Sequence, residues 1–142
     1  MKGLVLILAA GLLVACDQPA SAGESAGQAP KAAEFKQGQG LLLTEEASRF
    51  IGLRSAEAQA KGEAVRIPLS AVVDTAEGKQ VYVRNGQRWL RAAVKIAAVA
   101  GEDVDVSDGL LEGDVIAVAG GRYLWLAELQ AIKGGVGCAD GH

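Results

Sequence analysis

Histidine is nearly absent from this chain of 142 residues: the one histidine is its last residue, and only two cysteines occur. Aromatic residues make up 4% of the chain. Catalysis that depends on a histidine base has almost nothing to draw on, which argues against an enzyme. Lysine and arginine number 14 against 17 aspartates and glutamates, so the basic excess of a nucleic-acid-binding protein is missing too. The length fits one modest domain.

The first fifteen residues are mostly apolar, with a positive charge near their start at Lys2. This apolar run stops at Cys16-Asp17-Gln18-Pro19, short of the roughly 20 residues that a transmembrane helix needs. Residues 1–15 are therefore predicted to be a secretory signal peptide.

The segment Leu13-Val14-Ala15-Cys16 resembles the lipobox of bacterial lipoproteins, in which the cysteine becomes the lipidated first residue of the mature chain. Cys16 is thus the predicted lipid anchor, and the alternative is an ordinary signal peptide beside a coincidental cysteine. Several acyl chains hold a protein at a membrane far better than one. Asp17 resembles an inner-membrane retention signal of Gram-negative lipoproteins, which implies the periplasmic face of the inner membrane.

Residues 16–40 are predicted to be the lipidated cysteine and a flexible tether. The segment from Gln18 to Gly40 holds two prolines and many small residues, and Phe35 is its one large apolar side chain. Such a segment buries too little apolar surface to offset the entropy of ordering. The globular domain is expected over residues 41–136, followed by a glycine-rich tail over residues 137–142.

The domain is predicted to be mainly β, a small antiparallel sheet or barrel with a short N-terminal helix and a C-terminal amphipathic helix. Thr44 is a typical N-cap for a helix that Gly52 would end. Leu126, Leu129 and Ile132, joined by Trp125, predict the buried stripe of a helix over residues 123–133. Strands are expected over residues 53–59, 64–67, 80–84, 87–91, 103–106 and 115–119.

Asn85-Gly86 between two strand-like segments predicts a hairpin with a two-residue turn. That turn would pair Arg84 with Gln87, Val83 with Arg88, Tyr82 with Trp89 and Val81 with Leu90. Tyr82 and Trp89 then share a face bordered by Arg91. Aromatic residues beside arginine are typical interface anchors, so Tyr82, Trp89 and Arg91 are candidate partner-docking residues. The alternative is that this face simply packs inside the protein.

Three stretches together resemble the periplasmic adaptor subunits, or HlyD-like membrane fusion proteins, of resistance-nodulation-division efflux pumps of the heavy-metal type. The resemblance covers nearly the whole globular part, and it is carried by patterns of apolar and turn residues. These stretches are Thr44-Glu45-Glu46 through Phe50-Ile51-Gly52-Leu53; Ile67-Pro68-Leu69-Ser70-Ala71-Val72-Val73 followed by Val81-Tyr82-Val83; and Val104-Asp105-Val106 through Gly109-Leu110 and Glu112-Gly113-Asp114-Val115.

A full adaptor of this kind would also carry a lipoyl-like domain and a long α-hairpin between Leu53 and Ile67, where this chain has about a dozen residues. The resemblance therefore implies an isolated membrane-proximal domain with its own lipid anchor. Its expected role is non-enzymatic association with an inner-membrane efflux transporter of metal ions or drugs, or with the full-length adaptor. The sequence leaves open the exported substrate, the oligomeric state, whether the protein assists or inhibits the pump, and whether it is a deletion remnant.

The tail offers the one set of residues with metal-ligand chemistry: Cys138, Asp140 and His142. Sulfur and imidazole suit copper, zinc or a similar ion, so a periplasmic metal sensor or buffer is the rival function. A lone Cys138 thiol in an oxidising compartment also allows an intermolecular disulfide. Glu102, Asp103 and Asp105 could form a metal or acid-base cluster, but Asp103 and Asp105 alternate with valines and are interpreted as the solvated face of a strand.

Overall fold

The computed structural model describes residues 31–134 as two antiparallel β-sheets with a helix at the C-terminal end, which confirms the predicted mainly β class. A 3₁₀ turn covers Leu69–Ala71. The helices are α1 (Glu45–Phe50) and α2 (Gly121–Gly134). The strands are β1 (Ala33–Lys36), β2 (Gly40–Leu43), β3 (Arg54–Glu57), β4 (Gln59–Lys61), β5 (Ala64–Pro68), β6 (Val73–Thr75), β7 (Gly78–Asn85), β8 (Arg88–Ala93), β9 (Lys95–Ala100), β10 (Asp103–Asp108) and β11 (Val115–Ala119).

The larger sheet has seven strands in the order β1-β2-β8-β7-β11-β3, with β6 paired to β7 beside this path. The smaller sheet has four strands in the order β4-β5-β10-β9. The chain leaves the larger sheet after β3, returns to it at β6, and visits the smaller sheet again for β9 and β10. The chain therefore passes back and forth between the two sheets.

Apolar cores lie on both faces of the larger sheet. On β7, Val81 packs in a core with Ile67 and Val104 of the smaller sheet, whereas the next residue, Tyr82, packs in a second core with Leu124 of α2. Neighbouring residues of a strand point to opposite faces. The larger sheet is thus the middle of three layers, between the smaller sheet and α2.

The predicted hairpin forms from β7 and β8, but its turn is Gly86-Gln87 and not Asn85-Gly86. Gly86 has a φ of +61°, which glycine adopts readily. Each partner lies two positions beyond the predicted one, so the predicted register is wrong. The observed pairs are Arg84 with Trp89, Val83 with Leu90, Tyr82 with Arg91 and Val81 with Ala92. A shift of two positions keeps every side chain on its face, so the predicted division into two faces is confirmed.

The first strand lies within the segment predicted to be a tether. β1 pairs with β2, placing Ala33 opposite Leu43 and Phe35 opposite Leu41. Phe35 is half-buried and packs against the core beneath α2. The predicted tether is therefore wrong for residues 33–40, because backbone pairing with β2 and one apolar anchor order a segment whose composition is otherwise poor in apolar side chains.

The predicted cap of α1 is confirmed. Thr44 has extended backbone angles, and its Oγ1 accepts a hydrogen bond from the backbone N–H of Ala47 at 3.1 Å. The helix ends at Phe50, and Gly52 follows with a φ of +64°. No residue of α1 is fully buried. This short helix therefore lies on the surface, held by its cap and its neighbours in sequence.

The C-terminal helix is confirmed but begins at Gly121, and the side it turns to the sheet is not the predicted one. Leu126 and Ile132 are exposed, and Leu129 is only half-buried. Of the predicted stripe, only Trp125 packs against the core that contains Tyr82 and Trp89. The residues of α2 that pack against that core are Leu124, Trp125, Ala127 and Ala131, and Glu128 is buried among them.

Candidate functional site

The predicted docking residues lie under α2. Tyr82 is 0% exposed and Trp89 is 3% exposed. Arg91 is partly covered as well, with 29% of its side chain exposed. The expectation of an exposed docking patch at these three residues is therefore wrong, and the alternative, packing of the second face, describes them. The sequence could not reveal this cover because α2 lies some thirty residues further along the chain.

A buried polar network ties this face to α2. The phenol of Tyr82 donates a hydrogen bond to Oε2 of Glu128, and Nε of Arg91 lies 3.5 Å from Oε1 of the same carboxylate. Arg91 also donates to Glu77 at 3.2 Å. Burial, and then the hydrogen bond to Glu128, raise the pKa of the Tyr82 phenol above its ordinary value. The network holds the helix on the sheet and leaves the Tyr82 phenol protonated near neutral pH.

Asp105 of β10 is paired with two cationic side chains of the smaller sheet. Asp105 accepts hydrogen bonds from Arg66 at 2.7 and 3.1 Å and from Nζ of Lys61 at 3.1 Å. Its side chain is only 15% exposed, so it is less solvated than expected for the polar face of a strand. The cluster joins β4, β5 and β10, and its role in the fold is to stabilise the smaller sheet.

Within residues 31–134, no group of three or more histidine, cysteine, aspartate or glutamate side chains is placed to hold a metal ion. The predicted lipid anchor Cys16 and the predicted signal peptide lie outside the described residues. The same is true of Cys138, Asp140 and His142, the candidate metal ligands of the tail. These remain predictions from the sequence.

An apolar groove lies where α1, the β1–β2 hairpin and α2 meet, and we call it the α1–α2 groove. It encloses about 420 Å³, and its wall is mostly apolar. The β1–β2 hairpin forms one side, α1 forms another, and α2 contributes a small residue at the base. The residues that line it are Ala32, Ala33, Leu43, Thr44, Glu46, Ala47, Phe50, Ile51 and Ala127.

Phe50 is the most exposed large apolar side chain of the described residues, at 90%. It is the last residue of α1 and stands at the wall of the groove. Full burial of a phenylalanine side chain is worth about 1.5–3 kcal/mol relative to leaving it in water. An aromatic ring left in water beside an apolar groove is therefore a strong candidate for contact with another molecule.

The groove continues along α2 into a shallow cleft of about 460 Å³. The two share Ala32, Ala33 and Ala127, and Leu126 lines the continuation. The rim of this surface is polar, with Glu46 beside the groove and Lys31 and Gln130 beside the cleft. An apolar centre with a polar rim is the usual anatomy of a protein interface.

Neither Phe50 as a contact residue nor the groove is predicted from the sequence. One signal was available, because Phe50 has Glu46 and Ala47 at the preceding positions of its own helix face. A phenylalanine without a large apolar neighbour on a helix of fewer than two turns has nothing local to pack against. The rest of the groove comes from β1 and α2, which lie far apart in sequence.

Neither helix within residues 31–134 combines the length and the apolar content that crossing a bilayer requires.

No protein-family model and no curated protein matches the sequence. Among solved structures, the chain is similar to an NMR structure of 180 residues of SilB from Cupriavidus metallidurans CH34, which encompass the N-terminal metal-binding site and the membrane proximal domain of that protein. The similarity covers 58% of this chain and 52% of that one, at 19% sequence identity and a TM-score of 0.40. The chain thus spans about half the length of the structure it matches.

Proposed function

We propose that this protein is a non-enzymatic, adaptor-like lipoprotein that associates with an efflux transporter at the periplasmic face of the inner membrane. The transporter exports metal ions or drugs, and the protein binds either the transporter or its full-length adaptor subunit. It lacks the arm that would reach an outer-membrane channel. The docking surface is the α1–α2 groove.

The exposure of Phe50 beside the α1–α2 groove is the observation that carries this proposal. A few aromatic anchors set in apolar pockets dominate the energy of most protein interfaces. Phe50 has the position of such an anchor, and the polar groups at the rim keep the surface compatible with water when no partner is bound. An exposed aromatic anchor, an apolar groove and a polar rim are sufficient for a surface that binds another protein.

The three adaptor-like stretches come together in the fold, which supports an adaptor origin. Val104 of the third stretch pairs with Ile67 of the second. Leu53 of the first stretch packs in the same core as Tyr82 of the second. Stretches that are separate in sequence thus form one assembled unit, as the membrane-proximal portion of an adaptor must.

A tight turn stands where a full adaptor would carry its lipoyl-like domain and α-hairpin. β4 and β5 pair with each other, with Lys61 opposite Ala64, so the chain reverses through Gly62-Glu63. Gly62 has a φ of +63°, as such a turn requires. This closed hairpin supports the loss of channel bridging and leaves the rest of the domain intact.

The proposed lipid anchor would hold the groove close to the membrane. Lys31 borders the continuation of the groove and follows Cys16 by fifteen residues. The tether predicted from the sequence would span about 20 Å on average over that length. A partner that presents its periplasmic surface close to the bilayer therefore lies within reach, and an inner-membrane transporter is such a partner.

Co-purification tests the proposal directly. The full-length protein with an affinity tag is extracted from its host membranes in mild detergent, and the co-purifying proteins are identified by mass spectrometry. We expect a resistance-nodulation-division transporter or its full-length adaptor, and we expect Phe50→Ser to reduce its recovery about tenfold.

Leu111→Ser is the matched control, because Leu111 is an apolar side chain that is 74% exposed and does not line the groove. This variant should recover as much partner as the unaltered protein. The proposal fails if neither pump component co-purifies with the unaltered protein. The groove is the wrong surface if both variants retain the partner equally.

A further inference from the structure

The outer edge of β9 is the longest open strand edge in the described part of the chain. Within residues 31–134, β9 pairs only with β10, and it runs for six residues with Lys95 as its single charged residue. The other edge strands, β1, β3, β4 and β6, have three or four residues, and each carries a charged residue within it or at its end. Short length and charge are the usual means by which proteins protect a free edge. β9 is longer than these strands, and its only charged residue is Lys95 at its first position.

An apolar side chain on the core side of β9 also lacks cover. Val99 pairs with Val104, which is completely buried, yet Val99 is itself 63% exposed. Ile96, which precedes Val99 on the strand, packs against the same core. The core between the two sheets is therefore open to water along this edge. A further strand beside β9 would close it.

We propose that two copies of this chain associate by antiparallel pairing of their β9 strands. The edge complements itself when the pairing centres between Ala97 and Ala98. Each Ile96 then lies opposite Val99 of the second copy, and each Lys95 lies opposite Ala100. The smaller sheets of both copies merge into one sheet of eight strands.

The side chains of β9 fit this register. Ala97 has no partner on β10, because Ala98 pairs with Asp105 and Ile96 pairs with Val106. This irregularity places Ile96 and Val99 on the same side of the strand, opposite the buried Val106 and Val104. Opposed residues of antiparallel strands point to the same face, so both Ile96–Val99 pairs extend the apolar core. The small side chains of Ala97 and Ala98 lie at the centre.

Charge also favours the pairing of two copies. In the proposed register Lys95 comes against Ala100 of the second copy, close to Glu102 in the adjoining turn and to Asp103, the first residue of β10. Within its own chain Lys95 lies 3.2 Å from Asp108, and both side chains are well exposed. Exposed pairs of this kind contribute little to stability. Lys95 can therefore turn toward the second copy at little cost.

This inference does not depend on the proposed function. The smaller sheet and α2 lie on opposite sides of the larger sheet, so pairing through β9 leaves the α1–α2 groove free. A dimer would present two grooves to a pump. Failure of the dimer would not remove the groove, and failure of docking would not remove the dimer.

Disulfide trapping tests the register. In the full-length protein with Cys138→Ser, the variant Ile96→Cys with Val99→Cys places cysteines opposite each other across the proposed axis. We expect mild oxidation to convert most of this variant into a covalent dimer. Leu111→Cys, an equally accessible thiol off the strand, is the control and should give little dimer.

The second measurement is the mass of the unaltered protein in detergent, determined by sedimentation across micromolar concentrations. We expect a dimer, and we expect Val99→Lys to raise its dissociation constant at least about tenfold, since a lysine would lie against Ile96 of the second copy. Leu111→Lys should not change it. A monomer at all concentrations overturns the proposal, and so does a dimer that ignores Val99→Lys and fails to cross-link through β9.

Discussion

Tyr82 and Glu128 form the polar link between the central sheet and the C-terminal helix. The Tyr82 phenol donates to the Glu128 carboxylate at 2.5 Å, and both side chains are buried. The carboxylate also faces Arg91 at 3.5 Å. A buried carboxylate lowers the stability of the fold unless hydrogen-bond donors satisfy it. The fit of α2 on the sheet therefore depends on this pair as well as on apolar packing.

Replacing Tyr82 with phenylalanine should lower the free energy of unfolding by about 1–3 kcal/mol, because the buried Glu128 carboxylate loses a donor. Urea denaturation followed by circular dichroism measures this change. Tyr123→Phe is the matched control: it removes the same hydroxyl from an exposed residue of α2 and should change stability by less than about 0.5 kcal/mol. Equal stability of the two variants would rule out a structural role for the link.

The same tyrosine should make the protein sensitive to alkali. In the unfolded chain a tyrosine loses its proton near pH 10, and in the fold the pKa of Tyr82 is raised above that value. Above pH 10 the unfolded state therefore binds fewer protons than the folded state, and the free energy of unfolding should fall by about 1.4 kcal/mol per pH unit. Below pH 10 this contribution is fully present. Denaturation at several pH values should show the slope in the native protein and a shallower one in Tyr82→Phe; parallel slopes would contradict it.

The sequence predicted the local features because their causes are local. The Thr44 cap depends on residues three positions apart, and the strand with Val104 and Val106 depends on simple alternation. The hairpin register could not be settled in this way. A shift of two positions leaves every side chain on the same face, so the apolar pattern fits both registers equally well. The observed register pairs Arg84 directly with Trp89 and places the Arg84 guanidinium 4.6 Å from the centre of the Trp89 ring.

The candidate site escaped prediction because three distant segments build it. The sequence could identify Tyr82 and Trp89 as aromatic residues on one face, but not the helix that covers them. Leu126, Leu129 and Ile132 form one apolar side of α2, and the sequence predicts that this side is buried. In the fold, Leu124, Ala127 and Ala131 pack against the core instead, so Leu126 faces water beside the groove. Only the tertiary contact decides between the sides.

Gly40 should tolerate no side chain. Its φ is +93°, and a Cβ at this position would overlap the carbonyl oxygen of Trp89 on the neighbouring strand. Gly40→Ala should therefore force β2 and β8 apart and lower the free energy of unfolding by roughly 3 kcal/mol. The measurement is urea denaturation.

Gly38→Ala is the control for Gly40→Ala. Gly38 also has a positive φ, +74°, but its Cβ would meet no atom within 4 Å. Gly38→Ala should lower the free energy of unfolding by about 1–2 kcal/mol, because a residue with a Cβ is strained in the left-handed backbone conformation. If both variants lose the same stability, close contact between β2 and β8 is not what requires glycine at position 40.

Deleting residues 137–142 distinguishes the adaptor-like role from the metal sensor. The deletion removes Cys138, Asp140 and His142 and leaves the α1–α2 groove complete, since every residue that lines the groove precedes the tail. We expect unchanged recovery of the pump component and unchanged growth of cells in inhibitory copper or zinc. A variant with Cys138→Ser and His142→Ala, which keeps the chain length, is the control for the deletion. If cells carrying either variant lose growth while the pump component is still recovered, the metal sensor is favoured. Metal resistance would then depend on the side chains of the tail and not on binding of the pump component.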